Sequence, residues 1–319
     1  MNSLTFKRTT EGYLLAKEAE GLSANTVNWY RHFLDAFARW LPRMTSDDAP
    51  SSITAEYIRE FLRYLKEPHT LNENHRFKHT EIKSNSPKTV QGAFATLSGF
   101  FNWCCAEKLI SASPMTNMKR PKVPKTITVI FTREDMQAML DACDTSTDEA
   151  SATRNRAILT LLLDTGMRRS EIVGLKMDRL NLKESCAHLT GKGSKDRIVP
   201  FGSQTKKLLW RYVSLYRPTP GDDATGVFLN FDGTAMKPRM INEIVDRIAR
   251  RANIKNAHPH RFRHTAAVQF LRNGGDVFSL QKMLGHSTLD MVRHYVELSQ
   301  QDVQRAHKTA SPADNWGLR

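Results

Sequence analysis

The segment Lys119-Arg120-Pro121-Lys122-Val123-Pro124-Lys125-Thr126 constrains this chain more than any other stretch. It holds four bases, no acid and two prolines in eight residues. Proline lacks a backbone donor and disfavours helix at the residue before it, so the stretch reads as extended. Apolar residues recur at helical spacing on both sides of it. The chain therefore reads as two domains joined by a basic linker, which suits 319 residues at about 150 per domain.

Residues 1–118 read as a helical domain. Trp29, Phe33, Phe37 and Trp40 make one stripe behind the cap candidate Ser23. Ile58, Phe61, Leu62 and Leu65 follow Thr54, and Val90, Phe94, Leu97, Phe101 and Cys104 follow Ser86-Pro87. A further helix near residues 13–19 brings the expected number to four. Residues 67–86 read as a polar connection, and His69, His75 and His79 as loop histidines without acidic or thiolate partners at ligand spacing.

Residues 127–308 read as mainly helical with one strand-rich island. Thr132 to Asp135 resembles a cap and first turn, residues 156–164 a buried helix, and residues 170–175 the start of another. Residues 186–190, 191–196 and 197–200 then read as strand, turn and strand. Four or five helices are expected beyond, ending in a polar tail at 309–319. The fold class is thus mainly α: a helical N-terminal domain and a mixed α/β second domain with a small antiparallel hairpin.

Charge narrows the function. The formal net charge is +14, of which residues 1–118 supply +2, the eight-residue linker +4 and residues 127–319 +8. That imbalance points to a polyanion, nucleic acid above all. The longest apolar stretch, residues 157–163, is far short of the about 20 residues a membrane helix needs. The first eight residues carry no long apolar core, so no secretory signal is expected. Cys104, Cys105, Cys143 and Cys186 form no C-x-x-C pair, which fits a reduced cytoplasmic setting.

Several familiar chemistries lack their residues. The chain has no phosphate-loop G-x-x-x-x-G-K-[ST], no H-E-x-x-H, no zinc-ribbon cysteine spacing and no G-x-S-x-G. What remains is a set of bases, imidazoles and phenols in the second domain. Thr165-Gly166-Met167-Arg168 puts an arginine after a glycine turn at the start of a helix. Lys192 lies between Gly191 and Gly193 in the expected hairpin. His260 and Arg263 stand at i and i+3 on one helix face. Leu284-Gly285-His286 follows, and Tyr295 comes nine residues after His286.

This ordered set resembles the tyrosine recombinases, the phage integrase family. Taken one at a time, Arg168 matches the family's first arginine and Lys192 its hairpin lysine. His260 and Arg263 match the H-x-x-R pair, His286 the histidine of L-G-H, and Tyr295 the nucleophile. The motif resemblance spans residues of about 130–300. The N-terminal domain resembles the family's core-binding domain only in helix number and in its place before the linker.

The resemblance implies an enzyme that cuts and rejoins duplex DNA through a 3′-phosphotyrosine. It also implies a homotetramer on paired sites, no cofactor, and in some members an accessory DNA-bending or directionality protein. Elementary chemistry agrees with the residue types. Arginine forks match the oxygens of an attacked phosphodiester, a phenol of ordinary pKa near ~10 needs cations to act as nucleophile, and a lysine can protonate a leaving 5′-oxygen. Lys119, Arg120, Lys122, Lys125, Lys195, Arg197 and Arg261 are expected DNA contacts.

Alternatives stay open at individual positions. Arg168 could pair with Asp164 or Glu171, Lys195 rivals Lys192, and Arg169, Arg261 and Arg293 neighbour proposed site residues. His264 and His294 are read as structural. Two other functions share much of the pattern: a type IB topoisomerase-like enzyme, and a non-catalytic DNA-binding protein of the same fold.

Overall fold

The structure, a computed structural model, describes residues 5–71, 81–124, 129–144, 148–190, 196–221, 224–285, 288–289, 292–293, 295–296, 311 and 315–316. The chain forms two compact units, residues 1–126 and 127–319.

The first unit contains four helices: α1 (Phe6–Ala19), α2 (Ala24–Trp40), α3 (Ala55–Lys66) and α4 (Pro87–Ala106). Each starts on a hydroxyl cap. Thr5, Ser23, Thr54 and Ser86 accept from the amides of Arg8, Thr26, Tyr57 and Thr89. A cap of this kind is worth about 1 kcal/mol, and Pro87 stands where its missing N–H costs nothing. The core is aromatic: Phe6, Tyr13, Phe37, Phe61, Phe100 and Phe101 are buried, and Phe37 meets Phe61 edge-on at 5.0 Å.

Two expectations for this unit change. Trp29 is 49% exposed rather than core. It lies edge-on to Phe33 at 4.8 Å and closes over Gly92 of α4, at the rim of the helix interface. The stretch read as a polar connection holds a short antiparallel pair, β1 (His69–Leu71) and β2 (Glu81–Lys83). His69 is part of its framework. Its Nδ1 donates to Glu67 O at 2.9 Å, its Nε2 accepts from Asn85 Nδ2 at 3.1 Å, and its ring lies tilted against Tyr64 at 4.4 Å. His75 and His79 lie outside the described residues. The linker begins against α4: Arg120 donates to Gln91 Oε1 at 3.2 Å, and Gln91 Nε2 donates to Pro121 O at 2.9 Å.

The second unit is built around α6 (Glu149–Thr165), with Ala157, Ile158, Leu159, Leu161 and Leu162 fully buried. Packed on it are α5 (Arg133–Asp144), α8 (Ser203–Arg211) and α10 (Pro259–Arg272). Helix α6 starts seven residues earlier than its apolar pattern predicts. Its first two turns carry Arg154 and Asn155 inside the protein, and Arg154 offsets its burial by donating to Leu229 O and stacking over Phe231. The rest of the unit comprises α7 (Arg169–Gly174), α9 (Pro238–Arg251) and α11 (Val277–Leu284). A three-stranded antiparallel sheet runs in the order β3 (Leu180–Asn181), β4 (Cys186–Thr190), β5 (Asp196–Pro200). Its outer pair aligns His188 with Ile198 and Thr190 with Asp196, and residues 191–195, read from the sequence as the turn, lie outside the described residues. Among the described residues no helix is long and apolar enough to cross a membrane.

Candidate active site

The site forms where α6, α7, α10 and α11 present their ends. Helix α6 stops on Gly166, whose left-handed φ of 61° lets the chain turn sharply while its amide still bonds Leu162 O at 3.0 Å. Met167 is buried after the turn, and Arg168 becomes the residue that opens α7. Glu171, three residues on, reaches back: its Oε2 accepts the Arg168 amide at 2.7 Å and its Oε1 accepts Arg168 Nη1 at 3.0 Å. The Arg168 side chain stays 44% exposed, oriented but available.

Glu171 also accepts from Arg197 of β5, Nη2 to Oε2 at 2.8 Å. Burial alone would raise this carboxyl, but the Arg197 hydrogen bond, the Arg168 amide and both guanidinium charges outweigh it and hold it below the ordinary carboxylate range. Arg197 Nε donates to Met283 O at 3.0 Å, beside the left-handed Gly285. One arginine thus ties the hairpin to α7 and to the end of α11. Arg197 was expected to contact DNA; its guanidinium is instead taken up within the protein.

Arg263 sits on α10 and is 2% exposed. Its Nη1 donates to Gly166 O at 2.8 Å and its Nη2 to Leu284 O at 2.7 Å, so it binds the carbonyl ends of two helices. Burial first, then the Arg168 charge, lowers its pKa to about 10, while Glu171 and Tyr295 oppose the shift. It remains cationic at neutral pH.

Tyr295 is 4% exposed and hydrogen-bonded to Arg263. Burial raises the phenol above its ordinary value, and the Arg263 charge and hydrogen bond and the Arg168 charge counter only part of that. Its ring lies 5.4 Å from that of His264, which in turn lies 4.3 Å from His260. His260 itself is exposed at the start of α10. The helix opens on His258, whose Nδ1 accepts the Arg261 amide at 3.1 Å, with Pro259 behind it.

The structure therefore brings Arg168, His260, Arg263 and Tyr295 together from three separate stretches of chain. Lys192, Lys195, His286 and Lys125 lie outside the described residues. Lys119, Arg120 and Lys122 are exposed on the first unit. Arg261, an expected DNA contact, is 8% exposed and internal. It donates to Lys255 O at 2.8 Å, Ile130 O at 3.1 Å and Asp135 at 3.3 Å, and lies over the Phe131 ring. On α10 it faces away from Arg263, where a buried charge needs these partners. Sequence reasoning missed the double role of Glu171, although its position three residues into α7 is the spacing of a helix-capping carboxylate. It also read His264 as structural, with nothing in the spacing to show that its ring lies 5.4 Å from that of Tyr295.

Comparison with known proteins agrees with this geometry. Residues 130–302 match the phage integrase family, and residues 10–111 match its N-terminal SAM-like domain. The chain is 30% identical to tyrosine recombinase XerC of Myxococcus xanthus, over 93% of this chain and 94% of that protein. It is 29% identical to tyrosine recombinase XerD of Listeria innocua, over 92% and 94%. Among solved structures, the Tn1549 transposon integrase in complex with transposon right end DNA superposes with a TM-score of 0.72 at 18% identity, covering 95% of this chain and 99% of that one. The XerH recombinase bound to its difH substrate superposes at 0.70 and 20% identity, covering 97% and 85%. Matching over most of its length and carrying a phenol beside paired arginines, the chain belongs to the phage integrase family of tyrosine recombinases, enzymes that break and rejoin DNA.

Proposed function

We propose that this chain is a site-specific DNA recombinase and that Tyr295 is its nucleophile. The phenol oxygen attacks the scissile phosphorus, the Tyr295 O–P bond forms, and the bond from phosphorus to the 5′-oxygen breaks. Arg168 and Arg263 neutralise the charge that grows on the non-bridging oxygens, with donors already oriented. Lys192 supplies the proton to the leaving 5′-oxygen, while His260 and His286 hold the phosphate and take up the proton that the phenol gives up. The 3′-phosphotyrosine conserves the bond energy, so the reverse attack by a 5′-hydroxyl rejoins a strand without a nucleotide cofactor.

The observation that carries this reading is the hydrogen bond between buried Tyr295 and buried Arg263, with the Arg168 charge acting on both groups. A nucleophile and its charge stabilisers share one pocket. The XerH and Tn1549 neighbours were solved on their DNA sites, and duplex DNA is the partner proposed here. Lys119, Arg120, Lys122 and Lys125 are its proposed backbone contacts, together with Lys195. A homotetramer on two paired sites exchanges one pair of strands at a time, in the cytoplasm. Its cellular task is integration and excision of a mobile DNA or resolution of a circular one, and the captured site tells which.

Covalent capture tests the proposal. The protein is incubated with nicked duplexes of randomised and genomic sequence, denatured, and its linked DNA sequenced, with Tyr295→Phe in parallel. Adducts from the wild type alone are expected. Adducts from both proteins would move the nucleophile elsewhere. Adducts from neither, with salt-sensitive binding intact, would favour a non-catalytic DNA-binding protein.

A further inference from the structure

We infer that His264 is a positioning residue for the Tyr295 nucleophile, holding the phenol ring in place through ring contact. The inference rests on the recombinase reading above. His260, Arg263 and His264 occupy i, i+3 and i+4 of α10, one face of the helix. On that face the two histidines differ in surroundings. His260 is exposed, whereas His264 is half-buried and interposed between His260 and Tyr295. Its ring stands edge-on to the first at 67° and tilted at 54° to the second, both at centroid separations within the range of about 4.5–7 Å for aromatic contacts or just under it.

The phenol is thereby held at two points. Arg263 holds the hydroxyl, and His264 holds the ring. A phenol is a long lever on its Cα–Cβ bond, so a small rotation there moves the oxygen by a large fraction of an ångström. A displacement of about 1 Å in a reacting atom can cost about 10²-fold in rate. Helix α10 is itself fastened, because Arg263 bonds the ends of α6 and α11 and Thr265 Oγ1 accepts the Phe131 amide at 2.9 Å. His264 therefore projects from a fixed platform. The nucleophile stands in a segment of its own, after α11, and takes its ring position from α10.

The test uses His264→Ala, which removes the ring, and His264→Phe, which keeps a ring without nitrogens. On the nicked duplex that the wild type cleaves best, His264→Ala slows adduct formation by about 10-fold or more while DNA affinity changes by less than about twofold. His264→Phe recovers the rate to within about threefold of wild type, since ring contact is what the site needs. A substrate with sulfur in place of the bridging 5′-oxygen releases a thiolate that needs no proton, and His264→Ala stays slow on it. The second arm needs no DNA: tetranitromethane nitration of Tyr295, read by peptide mass spectrometry, with melting temperatures alongside. Wild type and His264→Phe keep Tyr295 protected, and folded His264→Ala is nitrated several-fold faster.

Unchanged adduct formation by His264→Ala, a His264→Phe rate as low as that of His264→Ala, or recovery of His264→Ala on the sulfur substrate would each overturn the inference. So would equal protection of Tyr295 in all three proteins. If the wild type forms no adduct on any duplex, the recombinase reading falls, and the nitration arm still decides whether His264 holds the phenol.

Discussion

Arg263 and Gly166 are joined by a 2.8 Å hydrogen bond from a buried guanidinium to the carbonyl that ends α6. The same glycine sets the turn that delivers Arg168 to the site, so the two arginines are placed relative to each other by one residue's backbone. A Cβ at position 166 would stand 2.8 Å from Leu284 Cδ2, on a backbone with φ of 61°. Gly166→Ala should therefore cost about 1–3 kcal/mol, from left-handed strain and from the clash. It should also slow adduct formation more than stability alone explains, because the acceptor of Arg263 moves. Urea unfolding and single-turnover cleavage on one preparation measure both.

Arg263→Lys keeps a cation but not the fork. Lysine cannot reach Gly166 O, Leu284 O and the phenol with one ammonium. The rate of adduct formation should fall about 10²–10³-fold, the range for losing one preorganised donor at a developing oxyanion. DNA affinity should change far less. An equal fall in affinity and rate, measured by filter binding and single-turnover cleavage, would mean that Arg263 serves binding rather than the transition state.

The carboxylate of Glu171 gives a pH signature. Its folded pKa lies below the ordinary value, so the unfolded chain takes up the proton first as pH falls. Its contribution is complete above the ordinary carboxylate range of about 4.3 and is lost as pH drops through the folded value. Glu171→Gln should destabilise at pH 7 by about 1–3 kcal/mol, since it weakens bonds to two arginines. The gap between variant and wild type in denaturant titrations should narrow as pH falls below the ordinary carboxylate value. A gap independent of pH would show that Glu171 acts through shape, not charge.

Much of this site is legible in the sequence because the chemistry demands particular residue types in a fixed order. Arg168, His260, Arg263 and Tyr295 stand out for that reason, and Gly166 marks its turn. Glu171, His264 and Arg261 are harder to read. Their roles depend on which face of a helix meets which neighbour, and spacing along one helix does not give that. Arg261 is adjacent to His260 and basic, which suggests a phosphate contact, yet helix geometry turns it about 100° from its neighbour, toward Phe131. The early start of α6 was hidden for a related reason: Arg154 is charged and still buried, because a carbonyl and an aromatic face receive it. Trp29 shows the converse, an aromatic at core spacing that lies on the rim.

The exposed linker bases and buried Arg261 should separate cleanly in salt titrations. A base that neutralises a DNA phosphate releases a counterion, contributing about 0.9 to the slope of log K against log salt concentration. Lys122 is exposed, so Lys122→Ala should lower that slope by about one while leaving thermal stability within about 0.5 kcal/mol of wild type. Arg261 bonds two carbonyls and the Asp135 carboxylate, and truncation strands those groups in the interior. Arg261→Leu should therefore lose about 2–4 kcal/mol in urea unfolding and keep the wild-type salt slope. A reduced slope for Arg261→Leu in a folded protein would return this residue to the DNA interface, which its partners in the structure oppose.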